Sequence, residues 1–203
     1  MIKNIITMPQ GPVMANTYIA MNEYNECLII DLGEDISNTL DIIRKQKLKV
    51  VNLLLTHGHF DHIMGVKSAV NEHIGVLIGK NDAFMLKSER DCLASLFGEK
   101  YEPIEKCKEL SEGEYKLGNF TVKVLETPGH TLGSVCYIID DCIFTGDTLF
   151  KGGYGRCDLP FGNASELRKS LEKVLSLPDM KVYPGHGDKT TIKEEANILK
   201  YYG

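Results

Sequence analysis

The stretch Thr56-His57-Gly58-His59-Phe60-Asp61-His62 decides how this sequence is interpreted. The chain contains six histidines, and three of them fall within six consecutive positions of this stretch. Imidazole and carboxylate groups are good ligands for borderline divalent metals. Packing three imidazoles and a carboxylate together without a cation would leave polar groups unsatisfied or repelling one another. The stretch therefore predicts a metal site in which His57 and His59 share one ion while Asp61 and His62 reach a second.

Three shorter motifs further along the chain each place one more ligand type beside a glycine. They are Thr127-Pro128-Gly129-His130-Thr131, Phe144-Thr145-Gly146-Asp147-Thr148 and Tyr183-Pro184-Gly185-His186-Gly187. Each motif alone would be an ordinary turn, but their joint occurrence after the first stretch indicates three further ligands. Each ligand follows a predicted strand, and side chains at neighbouring strand ends can converge in one cleft. We therefore expect all of these side chains to meet at one edge of a sheet structure.

Hydrophobic periodicity predicts alternating strands and helices along the whole chain. The predicted strands cover 17–21, 27–31, 50–55, 75–78, 120–125, 134–139, 142–145 and 181–183. Helices are predicted after Asp35, from Met64, over 167–175 with Asn163 or Ser165 as the N-cap, and after Thr191. Residues 86–112 are charged and have only 93–97 as an apolar nucleus, so we expect either a helical insert or a mobile lid.

Composition narrows the class of protein. The 203 residues fit one domain over residues 1–203, and the formal net charge of −5 disfavours a nucleic-acid partner. There is no apolar run long enough for a membrane span and no signal-peptide pattern at the N-terminus, so we expect a cytoplasmic protein without a membrane partner. None of the six cysteines forms a Cys-x-x-Cys pair, and Cys27, Cys136 and Cys142 are predicted to be buried hydrophobes. The sequence leaves the oligomeric state open.

The order of the four motifs resembles the metallo-β-lactamase superfamily across residues 56–187. Two N-terminal segments, Asn16-Thr17-Tyr18-Ile19 and Ile30-Asp31-Leu32-Gly33, extend the resemblance to nearly the whole chain. The resemblance implies an α/β fold, a four-layer αβ/βα sandwich, with two divalent metal ions at one edge of the sheets. It implies zinc first, with iron or manganese as alternatives. The implied ligands are His57, His59 and His130 for the first ion, Asp61, His62 and His186 for the second, and Asp147 as a bridge.

Within the superfamily, the chain looks most similar to glyoxalase II, the hydroxyacylglutathione hydrolases. The residues that carry this similarity are Gly146-Asp147-Thr148-Leu149-Phe150 and Gly153-Tyr154-Gly155-Arg156-Cys157-Asp158. The resemblance implies hydrolysis of a small-molecule thioester by a hydroxide bridged between two metals, which Asp61 and Asp147 hold in place. Arg156 and Lys151 are candidates to bind a carboxylate on the substrate.

Two departures from glyoxalase II concern the thiol half of the substrate. Only 17 residues follow His186, so we expect the helical C-terminal domain of glyoxalase II to be absent. Asp158 also occupies a position where an aromatic hydroxyl is expected. We therefore predict a loose preference for the thiol. The kcat/KM values for the lactoyl thioester of glutathione and for that of a smaller thiol should lie within roughly tenfold of each other.

Other activities on the same motifs stay open at this stage. The main alternative is a persulfide dioxygenase with a single iron bound by His57, His130 and Asp147, a two-histidine, one-carboxylate arrangement. Lactonases and phosphodiesterases are further possibilities. An RNA-processing nuclease is disfavoured by the acidic charge balance, and a flavodiiron protein would have a carboxylate at the position of His59.

Overall fold

Two six-stranded sheets form the framework of the computed structural model, which describes residues 1–196. The strands are β1 (Ile2–Gln10), β2 (Ala15–Asn22), β3 (Glu26–Ile30), β4 (Lys49–Leu55), β5 (Val76–Gly79), β6 (Lys108–Leu110), β7 (Gly113–Leu117), β8 (Phe120–Glu126), β9 (Val135–Ile139), β10 (Cys142–Gly146), β11 (Leu149–Phe150), β12 (Gly153–Tyr154), β13 (Lys181–Pro184) and β14 (Thr190–Thr191). The α-helices are α1 (Ser37–Lys45), α2 (Phe60–Ile63), α3 (Val66–Asn71), α4 (Ala164–Leu175) and α5 (Ile192–Glu195). Short 3-10 helices cover Lys80–Asp82, Met85–Lys87 and Ala94–Phe97.

Both sheets are mixed. The first sheet has the order β1-β2-β3-β4-β5-β6, with antiparallel pairing up to β3 and parallel pairing from β3 to β6. The second sheet has the order β14-β13-β10-β9-β8-β7, in which only the β10–β13 pair is parallel. Strands β11 and β12 form a separate ribbon.

Three clusters of buried hydrophobic residues fill the spaces between the layers of the sandwich. In β4, Leu53 and Leu55 belong to the cluster that also contains Ile63 and Val66, from the helical side of the first sheet. Leu54 points to the opposite face, where the two sheets pack against each other. Because both faces of this strand are covered, its sequence is a nearly continuous apolar run, as in buried parallel sheets.

The third cluster lies on the outer face of the second sheet. It packs Leu167, Leu171 and Val174 of α4 against Ile143 of β10 and Val182 of β13. The four-layer αβ/βα sandwich predicted from the resemblance is therefore confirmed. Among residues 1–196, no helix combines the length and the apolar character needed to cross a bilayer.

Local capping predictions had mixed outcomes. Asn163 is the N-cap of α4 and accepts a hydrogen bond from the Glu166 amide, and Thr191 caps α5 in the same way. The prediction for Asp35 was wrong: the N-cap position of α1 falls on Ile36, and Asp35, one residue earlier, accepts a hydrogen bond from the amide of Ser37, the first residue of the helix.

The stretch 86–112 is not the helical insert that was one of the two predictions for it. It contains turns, the 3-10 helix Ala94–Phe97 and strand β6, which pairs with β5 in the first sheet. The amide of Phe60 donates to the carbonyl of Cys92 and so joins this stretch to α2. Strand β1 was not predicted either. Exposed and buried residues do not alternate regularly along it, so its sequence lacks the pattern that indicates a strand.

Candidate metal centre

All seven predicted ligands converge at one edge of the sandwich. His57 and His59 lie between the end of β4 and the start of α2, and that helix carries Asp61 and His62. The remaining three follow strands of the second sheet: His130 lies beyond β8, Asp147 follows β10 directly, and His186 lies just past β13. The seven residues are therefore positioned by two sheets whose strand ends face one cleft.

Ligand atoms of these residues form three overlapping groups within 4.8 Å. The groups are His57, His59 and His130; His57, His62 and Asp147; and Asp61, His62 and His186. The first and third groups correspond to the two metal sites that the resemblance implied.

Asp147 lies between the two histidine groups. One carboxylate oxygen, Oδ1, lies 3.3 Å from Nε2 of His62. The other, Oδ2, lies 3.5 Å from Nε2 of His130 and 3.6 Å from Nε2 of His186. Oδ2 therefore contacts one histidine of each group, and Oδ1 contacts the second group, so this carboxylate touches both groups as a bridging ligand must.

Several buried polar atoms in this cluster lack hydrogen-bond partners. They are Nε2 of His57, Nε2 of His59 and Oδ1 of Asp147. In addition, Nδ1 of His59 and Nε2 of His130 face each other at 2.8 Å. Buried polar atoms without partners are costly and rare in folded proteins. Divalent cations would satisfy Nε2 of His57 and Oδ1 of Asp147 and would occupy the space that the facing nitrogens share, so the residues fit a metal-binding role.

The rear nitrogens of three histidines are held by other groups. Nδ1 of His62 lies 2.8 Å from Oδ2 of Asp31, and Nδ1 of His130 lies 2.7 Å from the carbonyl oxygen of Arg156. Nδ1 of His57 lies 3.1 Å from the hydroxyl of Thr56, which donates to Asp31 in turn. Such contacts fix the ring orientation and leave Nε2 free for a metal.

Burial and charge shift the pKa values of these groups in opposite directions. Burial, reinforced by the neighbouring histidines, lowers the pKa of His57 well below its usual value and that of His59 to about 3. Burial also acts to lower the pKa of His62, but the charges of Asp61, Asp147 and Asp31 outweigh it and raise this pKa. Neutral imidazoles at His57 and His59 are the form that coordinates a metal.

Asp82 supports two ligand loops from behind and was not recognised in the sequence. Its buried carboxylate accepts hydrogen bonds from the Gly58 amide at 3.0 Å, the Thr131 hydroxyl at 2.6 Å and the Gly133 amide at 2.6 Å. These donors flank His57, His59 and His130. Burial raises the pKa of Asp82, because a charged carboxylate is less stable away from water. The three hydrogen bonds act in the opposite direction and stabilise the charged form.

Asp31 is the second supporting residue whose role sequence reasoning missed, although it lies in a segment that carried the resemblance. An Asp at the end of an apolar strand, just ahead of Gly33, was the available signal. Asp82 gave no such signal, because its partners are 24 to 51 positions away in the chain.

Glycines next to the ligands are required by close packing. A Cβ atom on Gly185 would lie 2.1 Å from Oδ1 of Asp147 and 2.8 Å from Cε1 of His62. At Gly58, a Cβ would lie 2.6 Å from the Cβ of Met85.

The metal cluster opens into a cleft of about 370 Å³. Five of its lining residues are predicted ligands, which together we call the metal wall: His59, Asp61, His130, Asp147 and His186. Six are apolar, which together we call the apolar wall: Val13, Phe60, Leu93, Phe97, Phe150 and Leu159. Arg156 is the remaining lining residue.

The two predicted substrate-binding cations occupy different places. Arg156 borders the cleft, but its guanidinium donates to both carboxylate oxygens of Asp158, at 2.7 and 2.8 Å. Lys151 is not part of the cleft lining and forms an ion pair with Asp188 at 3.1 Å. The substrate-binding roles of both residues stay predictions.

A model of the metallo-beta-lactamase superfamily matches residues 10–186 of this chain. The chain belongs to that superfamily. The probable metallo-hydrolase YqgX of Bacillus subtilis (strain 168) is 36% identical over 93% of this chain and 92% of its own length. The structure of the BLEG-1 B3 metallo-beta-lactamase matches with a TM-score of 0.90 and 32% identity, covering 96% of this chain and 97% of BLEG-1. TTHA1623, solved in a di-iron-bound form, matches with a TM-score of 0.86 and 31% identity, over 95% and 98% of the two chains.

Proposed function

We propose that this protein is a dinuclear metallo-hydrolase that cleaves hydroxyacyl thioesters of a small thiol. The observation that carries the proposal is the position of Asp147, whose carboxylate contacts His130 of one group and His62 and His186 of the other, while Oδ1 is buried without a hydrogen bond. A carboxylate in this place is suited to hold two cations next to each other.

The ligand assignment follows from the groups of atoms. His57, His59 and His130 would hold one ion, Asp61, His62 and His186 the other, and Asp147 both. Zinc is the first choice, because histidine and carboxylate ligands suit it, and iron or manganese are alternatives. Two such ions would supply a water of lowered pKa and would polarise the carbonyl oxygen of the substrate.

The residues of the chain contribute position and charge to the reaction. Asp61 and Asp147, both on the metal wall, would fix the attacking oxygen relative to the substrate that lies in the cleft. Water adds across the bond between the carbonyl carbon and the sulfur, giving a carboxylic acid and a thiol. A thiolate leaves readily, so no general acid is required beyond solvent.

The relatives support the coarse activity and the two-metal site. YqgX is named a probable metallo-hydrolase, and TTHA1623 was observed with two irons. Neither name specifies a thioester, so the choice of substrate rests on the sequence resemblance to glyoxalase II.

A metal and substrate analysis tests the proposal. The purified protein loaded with zinc should contain close to two ions per chain and should hydrolyse S-lactoylglutathione at equal rates with and without oxygen. Asp61→Ala should lower the metal content, whereas Asp41→Ala, an exposed aspartate on α1, should leave it unchanged. One tightly bound iron, with oxygen uptake on glutathione persulfide faster than any thioester hydrolysis, would favour the dioxygenase instead.

A second candidate, hydrolysis of a β-lactam amide, is favoured by the similarity to BLEG-1. Both reactions use the same attacking water, but a β-lactam presents a strained ring amide rather than a thioester. Parallel kinetics with a chromogenic cephalosporin and S-lactoylglutathione separate the two. A higher kcat/KM for the cephalosporin would replace the thioesterase proposal with a β-lactamase.

A further inference from the structure

The apolar wall lines the same cleft as ligands of both metal groups. Six of the twelve residues that line the cleft are aliphatic or aromatic, and five others are predicted metal ligands. A substrate whose reactive carbonyl lies against the metal wall must therefore place a neighbouring group against apolar side chains.

The basic side chain that lines the cleft offers an anionic substrate group little attraction. Arg156 is the one lysine or arginine among the lining residues, and Asp158 engages its guanidinium through two hydrogen bonds. The Arg156–Asp158 pair carries no net charge, and both side chains are exposed to solvent. An anionic group would gain little from such a neutralised cation, because exposed ion pairs contribute little.

Two apolar residues at the rim are exposed to solvent. Val13, in the turn between β1 and β2, is 46% exposed, and Phe97, at the end of a 3-10 helix, is 50% exposed. Both line the cleft, so a bound apolar group would remove them from water, which is favourable in proportion to the area covered.

Phe97 is held in place by the segment that carries the metal ligands. Its ring stacks on that of Phe60, with centroids 5.2 Å apart and an angle of 29° between the planes. Phe60 is 3% exposed and lies between His59 and Asp61, and its amide donates to the carbonyl of Cys92. The apolar wall is therefore preformed beside the metal wall, which reduces the entropy lost when a substrate binds.

We propose that the cleft selects thioesters that carry an uncharged apolar group, with Phe97 as a residue that determines this specificity. The inference rests on the proposed thioesterase function and specifies its substrate class. The apolar group can belong to the acyl half or to the thiol half, since the same wall would recognise either.

Two substrate series distinguish the halves. In the acyl series, N-acetylcysteamine carries lactoyl, hydroxybutanoyl, hydroxyhexanoyl or hydroxyoctanoyl groups; in the thiol series, lactoyl thioesters are made from ethanethiol, butanethiol and hexanethiol. In one of the series, kcat/KM should rise by about fourfold per methylene, the ratio that ~0.8 kcal/mol per buried methylene corresponds to. S-lactoylglutathione should be hydrolysed less efficiently than the longest neutral substrate of that series.

Variants of Phe97 test its role. Phe97→Ala should flatten the dependence on chain length, and Phe97→Leu should restore most of it. Leu96→Ala is the matched control: Leu96 lies on the same 3-10 helix and is 62% exposed, but it borders a different depression. An unchanged slope in Phe97→Ala, or a flat response of the native protein in both series, would overturn the inference.

A binding measurement separates this inference from the proposed function. Thioethers of N-acetylcysteamine with ethyl, butyl and hexyl chains cannot be hydrolysed, and calorimetry on the zinc-loaded protein gives their Kd values. Tighter binding with chain length, but no thioester hydrolysis, would keep the apolar selectivity of the cleft and remove the thioesterase. Hydrolysis of thioesters without any chain-length effect on kcat/KM or Kd would keep the thioesterase function and remove the apolar selectivity.

Discussion

The two walls of the cleft are built in different ways. Each residue of the metal wall lies at or just past a strand end or on α2, and its side chain faces other ligands or supporting groups. The apolar wall is assembled mostly from turns and loops: Val13 comes from the turn between β1 and β2, Leu93 and Phe97 from the stretch 86–112, and Leu159 from the loop before α4. The metal wall is thus fixed by the sheets, whereas the apolar wall can differ without changing the fold.

This difference has a functional consequence. A change in the metal wall should abolish the reaction for every substrate, because the ligands act together. A change in the apolar wall should alter the ranking of substrates and leave the metal content intact. The following experiments test this separation, from the largest expected effect to the smallest.

Asp147→Asn should have the largest effect. An amide is uncharged and has an NH₂ group in place of one carboxylate oxygen, so it holds two cations less well than the carboxylate can. We expect metal content to fall from near two ions towards one. We also expect kcat to fall by roughly 10³-fold or more, beyond the 10–100-fold typical of changes outside the direct ligands. Metal analysis and steady-state kinetics check this, with the exposed Asp188→Asn as a control that should change neither.

Gly185→Ala should displace Asp147 and His62, two of the predicted ligands of the second ion, without removing either side chain. The new methyl would lie 2.1 Å from Oδ1 of Asp147, a distance that real Cβ contacts essentially never show, so the carboxylate or the backbone must move. We expect metal content near one ion per chain and a loss of activity on the order of 10²-fold, as for displaced catalytic groups. Gly153→Ala is the control, since nothing lies within 4 Å of its added Cβ. Two ions and full activity in Gly185→Ala would contradict the packing argument.

Asp31→Asn tests the support behind His62. The carboxylate contacts Nδ1 of His62 and accepts from the amide and hydroxyl of Thr56, whereas an amide must direct its NH₂ towards one of these partners. We expect metal affinity to weaken by about 10–100-fold, measured by competition with a zinc chelator. Asp35→Asn, at an exposed turn before α1, should leave the affinity unchanged. Equal affinities for Asp31→Asn and the native protein would show that this contact does not orient the ring.

The metal wall could be predicted from the sequence because its signals are local. His57, His59, Asp61 and His62 lie within six positions, and each remaining ligand has its own glycine-containing motif. The strand predictions before these motifs were confirmed to within a few residues, since these strands are either apolar runs, as in β4, or alternate apolar and polar residues, as in β8. Together these features are sufficient to predict that the ligands meet at one edge of the fold.

The apolar wall and the supporting carboxylates could not be predicted in the same way. Phe97 acquires its position by stacking on Phe60, 37 positions earlier, and neither the 3-10 helix nor the loop around it has a hydrophobic period. Asp82 looks like any polar residue of a turn until the fold brings the loops of Gly58 and Gly133 to it. Contacts between distant loops depend on the complete packing, so local patterns do not reveal them.

The smallest effects are expected at the two cations that the sequence suggested for substrate binding. Lys151→Ala should change kcat/KM for S-lactoylglutathione by less than about twofold, because Lys151 is exposed and pairs with Asp188 outside the cleft. Arg156→Ala should change it by less than about threefold, since Asp158 already engages the guanidinium and the carbonyl that contacts His130 is unaffected by the side chain. The comparison requires a neutral lactoyl thioester of N-acetylcysteamine measured beside S-lactoylglutathione. If Arg156→Ala reduced hydrolysis of S-lactoylglutathione a hundredfold and spared the neutral substrate, Arg156 would leave Asp158 to bind a substrate carboxylate. Recognition would then be divided between this cation and the apolar wall.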